Sequence, residues 1–438
     1  MTRKRRIALA LLGGLLLAGA ALAALHAHLY AVPASRLAPG ATYADMPADA
    51  RHHYLDLPLD HADPARGSFR GFYLLSRVFS PGQPLTFVLT DGQMELVGLN
   101  TDFGFFDALF GDTAYVLIGV RGQAPTLLPE VYADGRVDAA QALRLYGSAQ
   151  QVEDIEAVRR DLQRQGLLPA DGRIRVFGAS GAGVLAQQYV SAHGDRVERL
   201  LLESTGAPDI AHAAGRPYSP PLQDFNPGAA PLLASYLAQH PDQRAAIALL
   251  LYQQGRSAPD PRAAQRRTLE ALRAGMPLLA YQWKPQQNLA LLDYLVKSPQ
   301  SLMARVRWFE LVGPDLMAYD PALGSNLLYD LSQRTLSDLL AWHREHHLPP
   351  QRLTMDRRYA GEVLILKGRD DVVFDDDINR RLRDAYPDAR LLFVQDGHRL
   401  QRDPAGYRAV RQAFLGGGFA ALDRLPPLTT RSPEPPRP

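Results

Sequence analysis

The stretch "RIRVFGASGAGVLAQQYV" (residues 173–190) decides the fold, because it runs from a short apolar strand through a glycine-rich turn into a helix. Ser180 stands at the tip of that turn, with Gly178 before it and Ala182 and Gly183 after it. The spacing matches the pattern G-x-S-x-G, except that alanine replaces the second glycine. Small neighbours permit the strained backbone that exposes a serine hydroxyl, so the stretch predicts a nucleophile.

Two other interpretations of this turn stay open on the motif alone. One is a glycine-rich turn without chemistry, and the other is a phosphate-binding loop of the dinucleotide type. Several candidate strands precede the turn, and Glu203 on the next strand is followed by an insertion rather than another β-α unit, which argues against the dinucleotide loop. The helix that begins at Gly181 also directs free N–H groups towards a site where negative charge would develop.

Apolar runs alternate with helical patterns along the rest of the chain, which predicts an α/β fold. The shorter runs are continuously apolar, as expected of strands that are buried on both faces of a mostly parallel sheet. The candidate strands span residues 68–79, 85–90, 114–120, 173–177, 198–204, 362–367 and 389–395, and the candidate helices span residues 149–164, 182–192, 376–385 and 404–415.

One long segment interrupts this alternation. Residues 206–359 contain helical blocks punctuated by proline and glycine and no convincing strand, so we expect a helical lid over the sheet edge where ligands bind. This insertion divides the α/β core into a first part, residues 31–205, and a second part, residues 360–422. The proline-rich end, residues 423–438, lacks an apolar period and is predicted to be disordered.

Candidate partners for the serine follow downstream in the chain order Ser, Asp, His. The run "EVLILKGRDD" places Asp371 just after a predicted strand, and "ARLLFVQDGHRL" places His398 just after the next one. Three such residues at strand ends predict a catalytic triad of Ser180, Asp371 and His398. Asp370 is the alternative acid.

These motifs together resemble an α/β-hydrolase, in particular the proline iminopeptidase and tripeptidyl aminopeptidase branch of serine exopeptidases. "LPLDHADPARGSF" (57–69), "VLIGVRGQAPT" (116–126) and "GSAQQVEDIEAVRRDL" (147–162) are similar to segments of that branch, although Gly119 stands where an aspartate is usual. The resemblance covers nearly all of the body outside the insertion. It implies the roles of nucleophile, acid and base for Ser180, Asp371 and His398.

Two departures from the family pattern bear on the site. After the first central strand the chain has Thr90-Asp91-Gly92-Gln93-Met94 in place of a glycine-rich run. We expect the backbone N–H groups of Gly181 and Gln93 to form the oxyanion hole, and the Asp91 carboxylate to need a partner or solvent. The lid acids that hold a substrate ammonium in this branch do not align, and Glu310 in "RVRWFELVGPD" is the candidate, with an ordinary helix-face acid as the alternative.

The first thirty residues predict export. The basic run "TRKRR" precedes an apolar run from Ile7 to Leu25, which is typical of a signal peptide or of an N-terminal membrane anchor. Positive charge stays on the cytoplasmic side, so the body is expected in the periplasm, secreted or anchored to the membrane.

The composition restricts the classes of substrate, partner and cofactor that we expect this protein to bind. A net charge of +2 in 438 residues gives no field for nucleic acid, so we expect a small molecule or a short peptide as the substrate. The absence of cysteine excludes disulfides, thiol catalysis and a thiolate metal site. His343 and His347 are one helical turn apart, but a third ligand is missing from the pattern, and we expect neither a metal nor a cofactor.

The sequence therefore predicts an exported serine hydrolase that works through an acyl-enzyme, and favours an exopeptidase that cleaves short peptides from the amino terminus. A carboxylesterase or lipase-like enzyme with the same triad is the first alternative. A binding protein that has kept the fold without activity is the second.

Overall fold

The computed structural model describes residues 3–348, 351–355 and 357–434. Its strands are β1 (His52–Pro58), β2 (Ser68–Leu75), β3 (Thr86–Val88), β4 (Tyr115–Ile118), β5 (Tyr132–Ala133), β6 (Arg136–Val137), β7 (Ile174–Ala179), β8 (Val197–Glu203), β9 (Glu362–Gly368), β10 (Ala389–Val394) and β11 (Arg431–Ser432).

Helix α1 (Arg3–Leu29) precedes the sheet. The other helices outside the segment between β8 and β9 are α2 (Phe103–Phe110), α3 (Ala139–Leu145), α4 (Ser148–Arg164), α5 (Gly181–His193), α15 (Asp376–Ala385) and α16 (Pro404–Leu422). Those between β8 and β9 are α6 (Pro208–Ala213), α7 (Leu222–Phe225), α8 (Ala230–Gln239), α9 (Arg244–Ser257), α10 (Pro261–Arg273), α11 (Leu289–Val296), α12 (Leu302–Leu316), α13 (Leu327–Thr335) and α14 (Ser337–Glu345).

Nine of the strands form one sheet in the order β1-β2-β4-β3-β7-β8-β9-β10-β11. The pairs from β4 through β10 are parallel, whereas β1, β2 and β11 run antiparallel to their neighbours at the two edges. The central strands are buried on both faces, as their continuous apolar runs predict. The predicted α/β-hydrolase fold, a mostly parallel sheet flanked by helices, is confirmed.

Each face of the sheet has its own hydrophobic core. On one face, the strands pack against α4 and α5 through residues such as Ile155, Val158 and Leu185. On the other, they pack against α2 and α16 through residues such as Phe110 and Phe414. Because β7, β8, β9 and β10 are parallel, their carboxyl ends lie at one edge of the sheet. The residues that follow β7, β9 and β10 therefore meet at that edge.

The described residues between β8 and β9 form helices joined by turns and loops, and none of them lies in a strand. Two further cores hold these helices together, one around Phe309 and Leu339 and one around Leu249 and Leu269. The lid is also anchored to the sheet region, because Met303 and Val306 of α12 belong to the core that contains α4 and α5. Helix α12 therefore brings side chains of the lid down to the strand ends.

Two differences from the sequence prediction concern strands at the edges of the sheet. Strand β1 was not predicted, since it is an edge strand whose residues are mostly half-exposed and carry no continuous apolar run. The tail was predicted to be disordered from residue 423, but Arg431 and Ser432 pair with Val394 and Phe393 of β10. Backbone hydrogen bonding to an open sheet edge does not require an apolar period, which is why composition missed it. Residues 435–438 lie outside the described part of the chain.

Helix α1 contains a stretch, Leu9–Leu29, that is long and apolar enough to cross a membrane, with a mean hydropathy of 2.0. None of that stretch is buried against the rest of the protein. Signal sequences and membrane anchors both have this character.

Candidate active site

Ser180 occupies a strained turn between β7 and α5. Its backbone φ is 54° and ψ is −126°, a conformation that residues with a side chain rarely adopt. A Cβ atom at Gly178 would lie 2.5 Å from the carbonyl oxygen of Ala182, and one at Gly183 would lie 2.3 Å from Oγ1 of Thr205. The two glycines are therefore required by the close approach of the turn to its neighbours.

The structure brings the three residues of the predicted triad together. Nε2 of His398 lies 3.2 Å from Oγ of Ser180, and Nδ1 of His398 lies 3.2 Å from Oδ2 of Asp371. Asp371 and His398 are both buried. Asp370, the alternative acid, instead pairs with Arg402 at 3.0 Å and with Arg262 at 3.5 Å, away from the imidazole.

The carboxylate of Asp371 also contacts a buried lysine. Nζ of Lys367, at the end of β9, is fully buried and lies 3.4 Å from Oδ2 of Asp371. Burial alone raises the pKa of Asp371, but the charges of Lys367 and His398 outweigh that effect and lower the pKa of this carboxyl below its usual range. The Val373 backbone N–H also donates to Oδ1 of Asp371, at 2.9 Å. Asp371 is thereby held ionised next to the imidazole.

Sequence reasoning missed Lys367. Its signal was a lysine at the end of an otherwise apolar strand, "EVLILKG", where a buried charge requires a partner. Lys367 also lies 3.4 Å from Oδ1 of Asp376 and donates to the backbone oxygens of Gly368 and Asp371. These contacts fix the loop that carries the acid.

The predicted oxyanion donors lie beside Asp91. A Cβ atom at Gly181 would be 2.2 Å from Oδ2 of Asp91 and 2.5 Å from Nε2 of Gln93, so any larger residue there would displace these two side chains. The Gln93 backbone N–H donates to Oδ1 of Asp91 at 3.3 Å. Gly92 has a φ of 83°, a backbone conformation that favours glycine. It follows Asp91 directly, where the Asp91 carboxylate lies against the turn at Gly181.

The partner that Asp91 needs comes from the lid. Nε of Arg307, on α12, lies 3.5 Å from Oδ2 of Asp91, and the Arg307 side chain is fully buried. Nη2 of Arg307 also donates to the backbone oxygen of Gly181, at 3.4 Å. Burial raises the pKa of Asp91, and the charge of Arg307 offsets only part of that effect, so the pKa of this carboxyl stays above its usual value. An arginine within the apolar helix "RVRWFELVG" was the missed signal in the sequence.

Glu310 does not lie where the sequence interpretation placed it. Its Oε1 accepts hydrogen bonds from the backbone N–H of Ser148 at 2.8 Å and from the Ser148 hydroxyl at 3.0 Å. Its Oε2 lies 3.1 Å from Nη1 of Arg307. The carboxylate caps the amino terminus of α4 and does not line the cavity at Ser180, so it is a lid-to-core contact rather than a ligand for a substrate ammonium.

A cavity of about 800 Å³ opens at Ser180 and His398. Much of its wall is apolar, and the described lining residues of that kind include Leu89, Met94, Leu96, Phe105, Phe106, Leu109 and Leu400. Five charged side chains also line it: Asp91, Glu203, Arg256, Arg399 and Arg411. The site therefore combines an apolar pocket with a few polar groups close to the nucleophile.

No cluster of three or more histidine, cysteine or acidic side chains suited to a metal occurs in the described residues. His343 is buried, and its ring packs against Phe309. It therefore lies in a lid core.

Comparison with known proteins finds similarity among solved structures, at low sequence identity. No model of a protein family matches the chain, and no curated protein matches it. Among solved structures it is similar to MGS-M2, an alpha/beta hydrolase enzyme from a Medee basin deep-sea metagenome library, with 13% identity, 79% of this chain and 94% of that chain covered, and a TM-score of 0.40.

Two further solved structures are similar at this level. Novel epoxide hydrolases of the alpha/beta hydrolases superfamily, from metagenomes of hot environments, share 13% identity over 83% of this chain and 99% of that chain, with a TM-score of 0.39. An esterase from Exiguobacterium antarcticum shares 14% identity over 81% of this chain and 96% of that chain, with a TM-score of 0.34. The activities named belong to those proteins.

Proposed function

We propose that this protein is a serine hydrolase that cleaves an acyl substrate through an acyl-enzyme. The observation that carries the proposal is the chain of contacts from Ser180 Oγ through His398 to Asp371, with both distances at 3.2 Å, at one end of a cavity. A serine hydroxyl becomes a nucleophile when an oriented base accepts its proton. These contacts supply the base and the group that orients it.

The reaction then runs in two halves. Nε2 of His398 accepts the proton as Oγ of Ser180 bonds to the substrate carbonyl carbon, and the imidazolium returns that proton to the leaving group as the old acyl bond breaks. Water next gives its proton to His398, attacks the acyl carbon and releases the acid, and the proton returns to Ser180. Asp371, ionised beside Lys367, stabilises the imidazolium in both halves.

The negative charge that develops on the carbonyl oxygen needs hydrogen-bond donors. The backbone N–H of Gly181, at the start of α5, is the first proposed donor. The backbone N–H of Gln93 is the second, and it must exchange its bond to Oδ1 of Asp91 for one to the oxyanion. The guanidinium group of Arg307 lies 3.5 Å from Oδ2 of Asp91, and its positive charge balances that carboxylate. The pair offsets the repulsion that a bare carboxylate would exert on the oxyanion.

The cavity favours the esterase interpretation over the aminopeptidase one. An aminopeptidase requires a carboxylate that is free to bind the ammonium of the substrate. The two acids among the described lining residues are each already neutralised, Asp91 by Arg307 and Glu203 by two hydrogen bonds of 2.8 Å from Arg411. We therefore propose a carboxylesterase or amidase that does not require a free amino terminus.

We also propose that the hydrolase is exported. The support is helix α1, with the apolar stretch Leu9–Leu29 after a basic run, which suits a signal peptide or an anchor.

A fluorophosphonate probe tests the proposed activity. It is expected to label the wild-type protein once and to leave Ser180→Ala unlabelled. Ser204→Ala is the matched control, because Ser204 lines the same cavity, also has a positive φ of 42°, and its Oγ has no partner among the described residues. Labelling that persists in Ser180→Ala, or that disappears in Ser204→Ala alone, would contradict the assignment. Absence of labelling in the folded wild type would favour a binding protein without activity.

A further inference from the structure

Two arginines in the cavity have no acidic partner. Arg256 lies in the last turn of α9, half-buried, and its Nε atom is buried without a hydrogen-bond partner in the described part of the chain. Arg399 directly follows His398 and is exposed. Among residues 3–348, 351–355 and 357–434, neither side chain takes part in an ion pair, although Arg256 packs over the Tyr252 ring at 5.8 Å.

The other charged groups of the cavity are balanced. Glu203 holds Arg411 with two hydrogen bonds, and Asp91 is paired with Arg307. Arg256 and Arg399 therefore leave this cavity with an excess of positive charge in its described lining.

Arg256 and Arg399 line the same cavity as Ser180 and His398. Burial lowers the pKa of Arg399, and the charge of Arg256 lowers it further. Two like charges at the wall of an apolar cavity repel, and an anion between them removes that repulsion. Guanidinium groups present fixed N–H donors that match a carboxylate, which makes such a pair a suitable anion site.

We propose that Arg256 and Arg399 form an anion-binding subsite, and that the substrate of this hydrolase carries a carboxylate which they bind. This inference rests on the proposed serine hydrolase function and specifies its substrate class. We assign the carboxylate to the leaving group, because the apolar residues that line the rest of the cavity suit an uncharged acyl chain. The apolar lining around Phe106 and Leu109 then receives the acyl group.

Two esters with the same short acyl chain test the subsite. One has 3-hydroxybenzoate as its leaving group, and the other has 3-hydroxybenzamide, so they differ mainly in the charge. We expect kcat/KM in the wild type to favour the benzoate at least about tenfold. The double variant Arg256→Gln, Arg399→Gln is expected to lose that preference while its kcat/KM for the neutral ester stays within about threefold. Arg267→Gln, an exposed arginine of α10 outside the cavity, is the control and is expected to keep the preference.

A binding measurement separates the subsite from the catalytic activity. Ser180→Ala protein is titrated calorimetrically with free 3-hydroxybenzoate and with 3-hydroxybenzamide, and the benzoate is expected to bind about tenfold more tightly unless both arginines are replaced. Equal binding of the two compounds would overturn the subsite even if the protein hydrolyses esters. A benzoate preference in binding without any turnover would keep the subsite and remove the proposed hydrolase. A preference for the charged ester that survives in the double variant would also overturn the assignment to these arginines.

Discussion

Replacing Asp371 by asparagine removes the charge of the proposed acid, and the variant no longer enforces the tautomer of His398 that the reaction needs. The side chain keeps its size, but its negative charge is lost from a position 3.2 Å from Nδ1 of His398. The buried ammonium of Lys367, 3.4 Å from Oδ2 of Asp371, then faces the imidazole without a counter-charge at that point. The imidazolium that forms in the transition state is destabilised by both changes.

The size of this effect follows from comparable triads, in which the same substitution lowers kcat about 10⁴-fold. At about 1.4 kcal/mol for each factor of ten, this corresponds to about 5 kcal/mol of lost transition-state stabilisation. We expect a similar loss here, because the structure provides no second carboxylate at the imidazole among its described residues: Asp370 is engaged by Arg262 and Arg402.

The assay is steady-state hydrolysis of an activated aryl ester, with thermal unfolding to verify that the variant is folded. Asp370→Asn is the matched control, since it removes the neighbouring charge at a site that is not in contact with His398. It is expected to keep kcat within about threefold. If Asp371→Asn keeps kcat within tenfold of the wild type, or if Asp370→Asn is the damaging change, the assignment of the acid is wrong.

Further predictions follow from the same contacts. Gly181→Ala is expected to lower kcat about 10²-fold to 10³-fold, since the new Cβ would lie 2.2 Å from Oδ2 of Asp91 and displace the oxyanion donors; unchanged ester hydrolysis would contradict this. Glu310→Gln should lower the free energy of unfolding in urea by about 1.5–3 kcal/mol, because charge-assisted hydrogen bonds to Ser148 weaken, while probe labelling persists. The pKa of Asp371 is lower in the folded protein than its value of about 3.9 in an unfolded chain. The ionised carboxyl therefore contributes its full stability above about pH 3.9, and that contribution is lost as the pH falls below this value. In urea titrations at acid pH, Asp371→Asn should lose less stability than the wild type. An alkaline phosphatase fusion after residue 40 is expected to be active outside the cytoplasm, and an inactive fusion would remove the export proposal.

The sequence by itself determined the fold class and the chain positions of the three triad residues. Hydrophobic runs are local properties, and parallel strands place their carboxyl ends at one edge, so residues that directly follow such runs meet there. This reasoning predicted that Ser180, Asp371 and His398 would meet, and the structure places Nε2 and Nδ1 of His398 at 3.2 Å from Oγ of Ser180 and Oδ2 of Asp371. Local pattern alone also predicted helices and no strand between β8 and β9, as the described residues of that segment show.

Only the tertiary structure decided which charged groups became partners. Glu310, Arg307 and Arg256 all lie in helices of the lid, and nothing in their local sequence states which element each helix face packs against. Packing of α12 on the sheet region directs Glu310 to Ser148 and Arg307 to Asp91. Helix α9 leaves Arg256 in the cavity without an acidic partner in the described chain. Ion pairs between segments that are distant in sequence depend on how helices are packed, and this information is absent from any single stretch.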